Sequence, residues 1–177
     1  MTTWVALLHA VNVGGTGKLA MADLRRLCGE AGFRDARTYI ASGNVVFDSD
    51  LDAADVVATL EAALLRHAGK PIRVGLRSAD ELAAVLAANP FADGAPSRVL
   101  AIFLPTPPPA DAIEAAKHRR DERIALGRRE IYVDYADGIG TSKLVIPAAK
   151  AGTARNMNTV AELAEMVRRW GSAGEQW

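Results

Sequence analysis

Two stretches of this 177-residue chain carry the same order of hydrophobic patterns, and this recurrence limits the folds open to it. Residues 4–67 predict a strand, a helix, a β-hairpin and a second helix, and residues 98–170 predict the same order again. The residues themselves do not repeat, so the recurrence lies in the pattern alone. A strand–helix–strand–strand–helix unit makes up most of a split βαβ plait. We therefore predict an α+β fold of two ferredoxin-like plait subdomains packed together, with mostly antiparallel sheets because hairpins are antiparallel.

The sequence predicts a boundary between the two subdomains near Pro90. Residues 1–90 are expected to form the first plait-like subdomain and residues 91–177 the second, with an insertion near residues 136–158. Two capping boxes of the S/T-x-x-E type, at Ser78 and at Thr159, predict where the third and the last helix begin. The other predicted helices span residues 21–31, 53–67 and 110–119, a short helix is expected within 142–151, and strands are expected at 4–11, 37–41, 45–48, 72–77, 98–104, 123–126 and 130–135.

Charge and composition exclude several classes of protein. The chain has 21 basic and 21 acidic residues, and this balance predicts no general attraction to nucleic acid or to a membrane surface. Half of its residues are apolar, which is too many for a disordered chain. No apolar run approaches the roughly 20 residues of a membrane-spanning helix. Because the chain has one cysteine and no secretory signal pattern, the expected location is the cytoplasm.

A glycine-rich loop, residues 12–18, lies between the first predicted strand and the first predicted helix. Backbone N–H groups around Gly14 and Gly15, the start of the helix and the Lys18 ammonium could together hold an anion, with the Asn12 amide beside them. The loop matches neither the Walker A pattern nor G-x-G-x-x-G. An ordinary turn, in which glycine permits a positive φ, therefore remains the alternative.

A second candidate stretch is Ser42-Gly43-Asn44, between two predicted strands. Asn and Gly are the residues that tight hairpin turns require, so a turn is the first interpretation. The side chains of Ser42 and Asn44 are also candidate ligand-binding groups.

A third candidate stretch, residues 152–159, precedes the last predicted helix. Thr159 can cap that helix and Asn158 can support the turn before it, which leaves Arg155 and Asn156 without a structural role. An arginine beside a helix N-terminus suits a bound anion. The sequence leaves both the cap and the ligand site open.

The most basic stretch is residues 117–129, and such a run is usually a solvent-exposed helix end and turn. The strand after it partly resembles an RNA-recognition stripe through Arg128, Tyr132 and Tyr135, although two positions of that motif differ. We therefore keep a non-catalytic RNA- or protein-binding module, using a sheet face and the Arg119–Arg129 region, as an alternative function. The zero net charge argues against nucleic acid as the partner.

No standard catalytic or metal-binding set is recognisable. The three histidines are scattered without the spacing of metal ligands, and no nucleophile elbow is present. Cys28 lies on the apolar stripe of a predicted helix, which is typical of an inert core cysteine. No cofactor and no metal are predicted, and the residues do not decide whether the protein is an enzyme.

Four stretches share a pattern that extends over nearly the whole chain. They are residues 9–15 (His-Ala-Val-Asn-Val-Gly-Gly) followed by Lys18 and Met21, residues 38–47 (Thr-Tyr-Ile-Ala-Ser-Gly-Asn-Val-Val-Phe), residues 89–91 (Asn-Pro-Phe) and residues 152–159 (Gly-Thr-x-Arg-Asn-x-Asn-Thr). Together they resemble the bacterial family called domain of unknown function 1697. The family often has Arg-Gly where this chain has His9-Ala10, and Trp where it has Met157. The resemblance implies a cytosolic fold of two plait-like halves and supplies no reaction, substrate or cofactor.

Three hypotheses follow. The first is a protein, or an enzyme, that binds a phosphorylated or carboxylated small molecule in a pocket joining the loop 12–18, the turn 42–44 and the helix start 155–159. Lys18 and Arg155 would hold the anion, and asparagines would orient the rest of the ligand: Asn12, Asn44 and Asn156. The second is the RNA- or protein-binding module. In the third, the same residues are structural and satisfy buried backbone groups. The sequence does not indicate an oligomeric state.

Overall fold

Over residues 1–10 and 19–174, which the computed structural model describes with side chains as far as Arg169, the chain forms eight strands and four α-helices. The strands are β1 (Thr2–Leu8), β2 (Arg34–Tyr39), β3 (Asn44–Ser49), β4 (Val74–Ser78), β5 (Val99–Phe103), β6 (Arg123–Leu126), β7 (Glu130–Asp134) and β8 (Thr153–Asn156). The helices are α1 (Met21–Glu30), α2 (Ala53–Ala68), α3 (Ala79–Ala87) and α4 (Met157–Gly174).

The strands of the described chain form two four-stranded sheets with the same topology. The first sheet has the order β2-β3-β1-β4 and the second has the order β6-β7-β5-β8. All neighbouring strands in both sheets are antiparallel. In each sheet the first strand lies between the third and the fourth, which is the order of a split βαβ plait. The predicted α+β class with ferredoxin-like, antiparallel sheets is confirmed.

The chain divides into two compact units, each of which contains one sheet. The first unit is Met1–Leu82 with Leu163–Trp177, and the second is Ala83–Glu162. The division passes through α3 and through α4.

In the first unit, two helices cover one face of the sheet. Trp4, Ala6 and Leu8 alternate along β1 and join a core with buried residues of α1 and α2. The period of two along a strand and of 3.6 along a helix places these apolar side chains on facing surfaces. The α2 helix has clear end signals: the Asp52 carboxylate accepts from the Asp55 N–H at 2.9 Å, and Gly69 ends the helix at φ 72°.

In the second unit, turns occupy the place of the first helix, and the predicted helix over 110–119 is wrong. Three separate turn bonds replace a continuous ladder: Ala112 N–H to Pro109 O, Ala115 N–H to Asp111 O, and Ala116 N–H to Ile113 O. Lys117 then pairs with Val145 through two backbone bonds of 2.8 and 2.9 Å. A ten-residue helix is marginal by itself, so these longer-range bonds prevail. The turn residues Ile113 and Ala116 still pack on the core of the second sheet.

The segment 136–158 also differs from its prediction as an insertion with one short helix. It contains 3-10 turns at Ile139–Thr141 and Pro147–Ala151, followed by the strand β8, which pairs with β5. The last helix begins at Met157, before the predicted capping box, because the Asn156 side chain accepts from the Thr159 N–H at 2.9 Å. The α4 helix follows β8 as α3 follows β4, so its counterpart is α3, and the predicted match with α2 is wrong.

Candidate functional site

A buried arginine occupies the same place in both sheets, one residue before the end of the fourth strand. Arg77 lies opposite Val5 of the central strand β1, and Arg155 lies opposite Ala101 of the central strand β5. On their other sides, Val5 pairs with Val46 and Ala101 pairs with Tyr132, so the two registers correspond. The exposed fraction is 2% for Arg77 and 8% for Arg155.

The two arginine side chains also share a conformation. In each, Nη1 donates to the carbonyl oxygen of the preceding residue, at 2.8 Å to Leu76 and at 2.9 Å to Ala154. Arg155 Nη1 also donates to the Thr153 hydroxyl at 2.9 Å. Burial lowers the pKa of Arg155 to about 10, because a low-dielectric environment disfavours the charged guanidinium. The group stays protonated at neutral pH, so a positive charge is held in a buried environment.

Each buried arginine is followed by the residue that caps a helix. After Arg77, the Ser78 hydroxyl accepts from the Glu81 N–H at 3.2 Å, and the Glu81 carboxylate accepts from the Ser78 N–H at 2.9 Å. This is a complete capping box, as predicted. After Arg155, the Asn156 side chain makes the corresponding bond to the Thr159 N–H.

The structure places three of the predicted site residues together at the start of α4. Arg155 is buried, Asn156 is half-buried and caps the helix, and Asn158 is exposed in its first turn. The N-terminal end of an α-helix carries a partial positive charge and unpaired N–H groups, both of which favour an anion. Cationic, amide and helix-end groups therefore converge within four consecutive residues.

The turn between β2 and β3 holds two further predicted residues, Ser42 and Asn44. Asn44 is fully buried, and its Nδ2 donates to Tyr39 O at 3.0 Å and to Ser42 Oγ at 2.9 Å. Ser42 is exposed. The turn also holds Ile40, 52% exposed, at φ 51°, a conformation that is unfavourable for a β-branched residue. Asn44 thus fixes the shape of the turn, and Ser42 is its accessible polar group.

The loop residues Asn12, Gly14, Gly15 and Lys18 lie outside the described residues. Their role in holding an anion stays a prediction.

The stretch Asn89-Pro90-Phe91 has a structural explanation. The Asn89 side chain accepts from the Phe91 N–H at 3.0 Å, which shapes the turn after α3. The Phe91 ring lies under the Arg123 guanidinium, with 4.7 Å from Cζ to the ring centroid. Arg123 in turn donates to Asp134 at 3.0 Å through Nε and to Asp93 at 3.0 Å through Nη2. Its hydrogen bond lowers the pKa of Asp93.

Glycine is required at position 152, at the start of the stretch 152–159, because the backbone of β5 lies very close to it. A Cβ atom at this position would stand 2.7 Å from Phe103 O and 2.8 Å from a Leu104 methyl group. The absence of a side chain lets the chain reach the edge of β5, where β8 pairs and Arg155 is positioned.

The basic region contains little that could bind RNA through stacking. Tyr132 is 2% exposed, and its hydroxyl donates to Val85 O at 2.8 Å. Burial raises the pKa of Tyr132 to about 12. Arg119 donates through Nε to Glu122 O, and Arg123 is held by its two aspartates. Tyr132 is therefore not available for stacking, and Tyr135 is half-buried against the core of the second sheet.

Metal binding and thiol chemistry have no support among the described residues. They contain no group of three or more His, Cys, Asp or Glu side chains placed to bind a metal ion. Cys28 is buried, as predicted, and desolvation raises the pKa of its thiol to about 12. A thiol with so high a pKa carries almost no reactive thiolate at neutral pH.

Sequence patterns missed Arg77, because a single arginine in an apolar strand gives no signal by itself. The signal that could have found it is the repeated order arginine, cap residue, helix at residues 77–79 and 155–157. That repeat becomes visible only once β8 is recognised as a strand.

None of the described helices is both long enough and apolar enough to span a membrane. Residues 1–132 match the profile of the family described as protein of unknown function (DUF1697). The comparison with curated proteins gave no match. A solved structure, that of the conserved bacterial protein SP0830 from Streptococcus pneumoniae, is similar, with a TM-score of 0.76 and 26% sequence identity over 93% of this chain and 98% of that chain.

Proposed function

The chain belongs to the DUF1697 family, and from its own residues we propose that it binds a small molecule through a phosphate or carboxylate held by Arg155 at the start of α4. The observation that carries the proposal is the convergence of the buried Arg155, the half-buried Asn156 and the exposed Asn158 at the start of α4. An anion beside the guanidinium would offset the cost of keeping that charge out of water. The half-buried Asn156 and the exposed Asn158 would orient the remainder of the ligand through their amides.

The proposal concerns binding and assigns no reaction. Lys18 and Asn12, with the glycines of the loop 12–18, keep their predicted part in holding the anion, as does Ser42 in orienting the ligand. We further propose a cytoplasmic location, supported by the single cysteine of the chain, Cys28, which is buried as a free thiol and has no second cysteine with which to form an intramolecular disulfide. The alternative of a non-catalytic RNA- or protein-binding module is less well supported in its RNA-binding form, because Tyr132 is buried.

Thermal-shift and calorimetric titrations with inorganic phosphate, sugar phosphates and nucleotides test the proposal. The wild-type protein should be stabilised by at least one of these ligands. Arg155→Lys keeps the charge but loses the planar fork, so we expect it to abolish most of the ligand-induced rise in Tm. Arg77→Lys is the matched control, because it makes the same change at the equivalent buried position. It should keep the ligand response.

A second variant protects the test against a general loss of folding. Asn158 is exposed, so Asn158→Asp should fold, and its carboxylate should stabilise the first turn of α4. The same negative charge should repel the ligand anion. A higher Tm with weaker ligand binding is therefore expected, and an unchanged ligand affinity in both Arg155→Lys and Asn158→Asp would refute the proposal.

A further inference from the structure

A groove between α1 and α2, in the first unit, encloses about 260 Å³. Leu27 and Ala63, which are 6% and 5% exposed, form an apolar floor with the half-buried Ala31, and the rest of the lining is polar or charged. One ordered water needs only about 10–15 Å³ of such space, and ligand pockets commonly begin at about 300 Å³. The groove therefore has the size for a small organic molecule.

The charged side chains on the rim of the groove differ in the hydrogen bonds and ion pairs that they make within the protein. Arg26 donates to Glu30 at 2.9 Å and to Asp23 at 3.4 Å, so its guanidinium is shared between two carboxylates and is not open to a ligand. Arg66 is exposed on the same rim, and it makes no hydrogen bond or ion pair with any residue of the described chain. The groove thus offers one guanidinium whose donors are open to a ligand.

One further donor lies beside Arg66 on the same helix. His67 follows it in the last turn of α2, and its Nε2 is 3.8 Å from Asp23 Oδ2, which is beyond a good hydrogen bond. The Thr59 hydroxyl lines the groove two turns earlier, about 10 Å along the helix axis, so it lies toward the other end of the groove from Arg66 and His67. A guanidinium and an imidazole side by side suit an oxyanion with several acceptor oxygens.

We propose that the groove between α1 and α2 binds a small organic oxyanion with an apolar body. The charged group meets Arg66 and His67, and the apolar body lies on Leu27, Ala31 and Ala63. This second site belongs to the first unit and does not depend on Arg155.

Backbone amide NMR on the full chain tests the site with phenyl phosphate, benzoate and inorganic phosphate as probes. Phenyl phosphate should cause saturable shifts in the amides of α1 and α2. It should bind more tightly than inorganic phosphate, because only the organic probe covers the apolar floor. Benzoate shows whether a carboxylate serves as well as a phosphate. The absence of saturable shifts in α1 and α2 with every probe would overturn the proposal.

Three variants locate the interaction. Arg66→Ala should weaken the binding of phenyl phosphate about tenfold, the loss of one charge-assisted hydrogen-bonding group. Lys70→Ala is the matched control, since it removes an exposed cation just beyond α2 that does not line the groove, and it should leave the affinity unchanged. Ala31→Leu should fill the floor and remove the preference for phenyl phosphate over inorganic phosphate.

The same titrations separate this site from the one proposed at Arg155. Arg155→Lys should leave the shifts in α1 and α2 intact. Equal effects of Arg66→Ala and Lys70→Ala, or loss of the α1 and α2 shifts in Arg155→Lys, would refute a separate site in the groove.

Discussion

The two sheets have the same strand order, but different kinds of segment pack on them. In the first unit, α1 and α2 pack on the sheet; in the second, turns around Ile113 and 3-10 turns at Pro147–Ala151 take the equivalent positions. Strand pairing therefore specifies the plait. The segments packed on each sheet need only to supply apolar side chains to its core. The same strand order therefore forms with either helices or turns packed on the sheet.

The junction between the fourth strand and the following helix is conserved between the two units in detail. Arg77 and Ser78 in the first unit correspond to Arg155 and Asn156 in the second, with the same register and the same bond to the preceding carbonyl. The segments packed on the two sheets differ, whereas this junction is similar in both units.

The largest expected effect tests whether the helices of the first unit pack more tightly on their sheet than the turns of the second unit do. Leu64 of α2 is fully buried, so Leu64→Ala should lower the free energy of unfolding by about 3 kcal/mol. Ile113 is half-buried in the turns of the second unit, so Ile113→Ala should cost only about 1 kcal/mol. Urea unfolding measures both values. Equal losses would show that the turns pack as densely as the helix.

A smaller effect is expected where the two fourth strands begin. Counting from the arginines, Gly152 occupies the position that Val74 holds in the first sheet. Gly152→Ala would push a Cβ against Phe103 O and should cost about 2 kcal/mol by overpacking. Gly140→Ala is the control, because no atom lies within 4 Å of its Cβ position, and it should change stability by less than about 0.5 kcal/mol. Thermal unfolding of both variants decides the point; a tolerated Gly152→Ala would mean that β8 can shift away from β5.

The smallest effect compares the two helix caps. Ser78→Ala and Asn156→Ala each remove a side-chain acceptor from the third N–H of a helix, so each should cost about 1 kcal/mol. Ser78→Ala leaves the Glu81 carboxylate on the backbone N–H of residue 78, whereas Asn156→Ala leaves no such partner bond. Chemical unfolding should therefore show the larger loss for Asn156→Ala. The opposite order would mean that the two junctions are not equivalent in energy.

The sequence predicted the strands and caps best where a local signal was strong. The strand at Arg123–Leu126 has its predicted bounds, and the Ser78–Glu81 box forms as expected. The helix over 110–119 was predicted wrongly, because local periodicity does not register the competing bridge between Lys117 and Val145. The strand β8 was missed since its alternation is polar and its partner β5 lies about 50 residues earlier.

The candidate site was predictable in its residues and not in its geometry. Arg155 and Asn156 stood out because no structural role accounted for them, and the structure gives Asn156 the role of a cap. The burial of Arg155 depends on the pairing of β8 with β5, which no local pattern encodes. Arg77 was missed because a single arginine in an apolar strand gives no local signal.

The bond from each buried guanidinium to the carbonyl behind it has a consequence for affinity. A free arginine side chain loses about 2 kcal/mol of rotamer entropy when it is immobilised. Arg155 is already immobilised by Ala154 O and Thr153 Oγ1 when the protein folds. An arriving anion would therefore meet a preorganised partner, and its binding free energy would not be reduced by the freezing of that side chain.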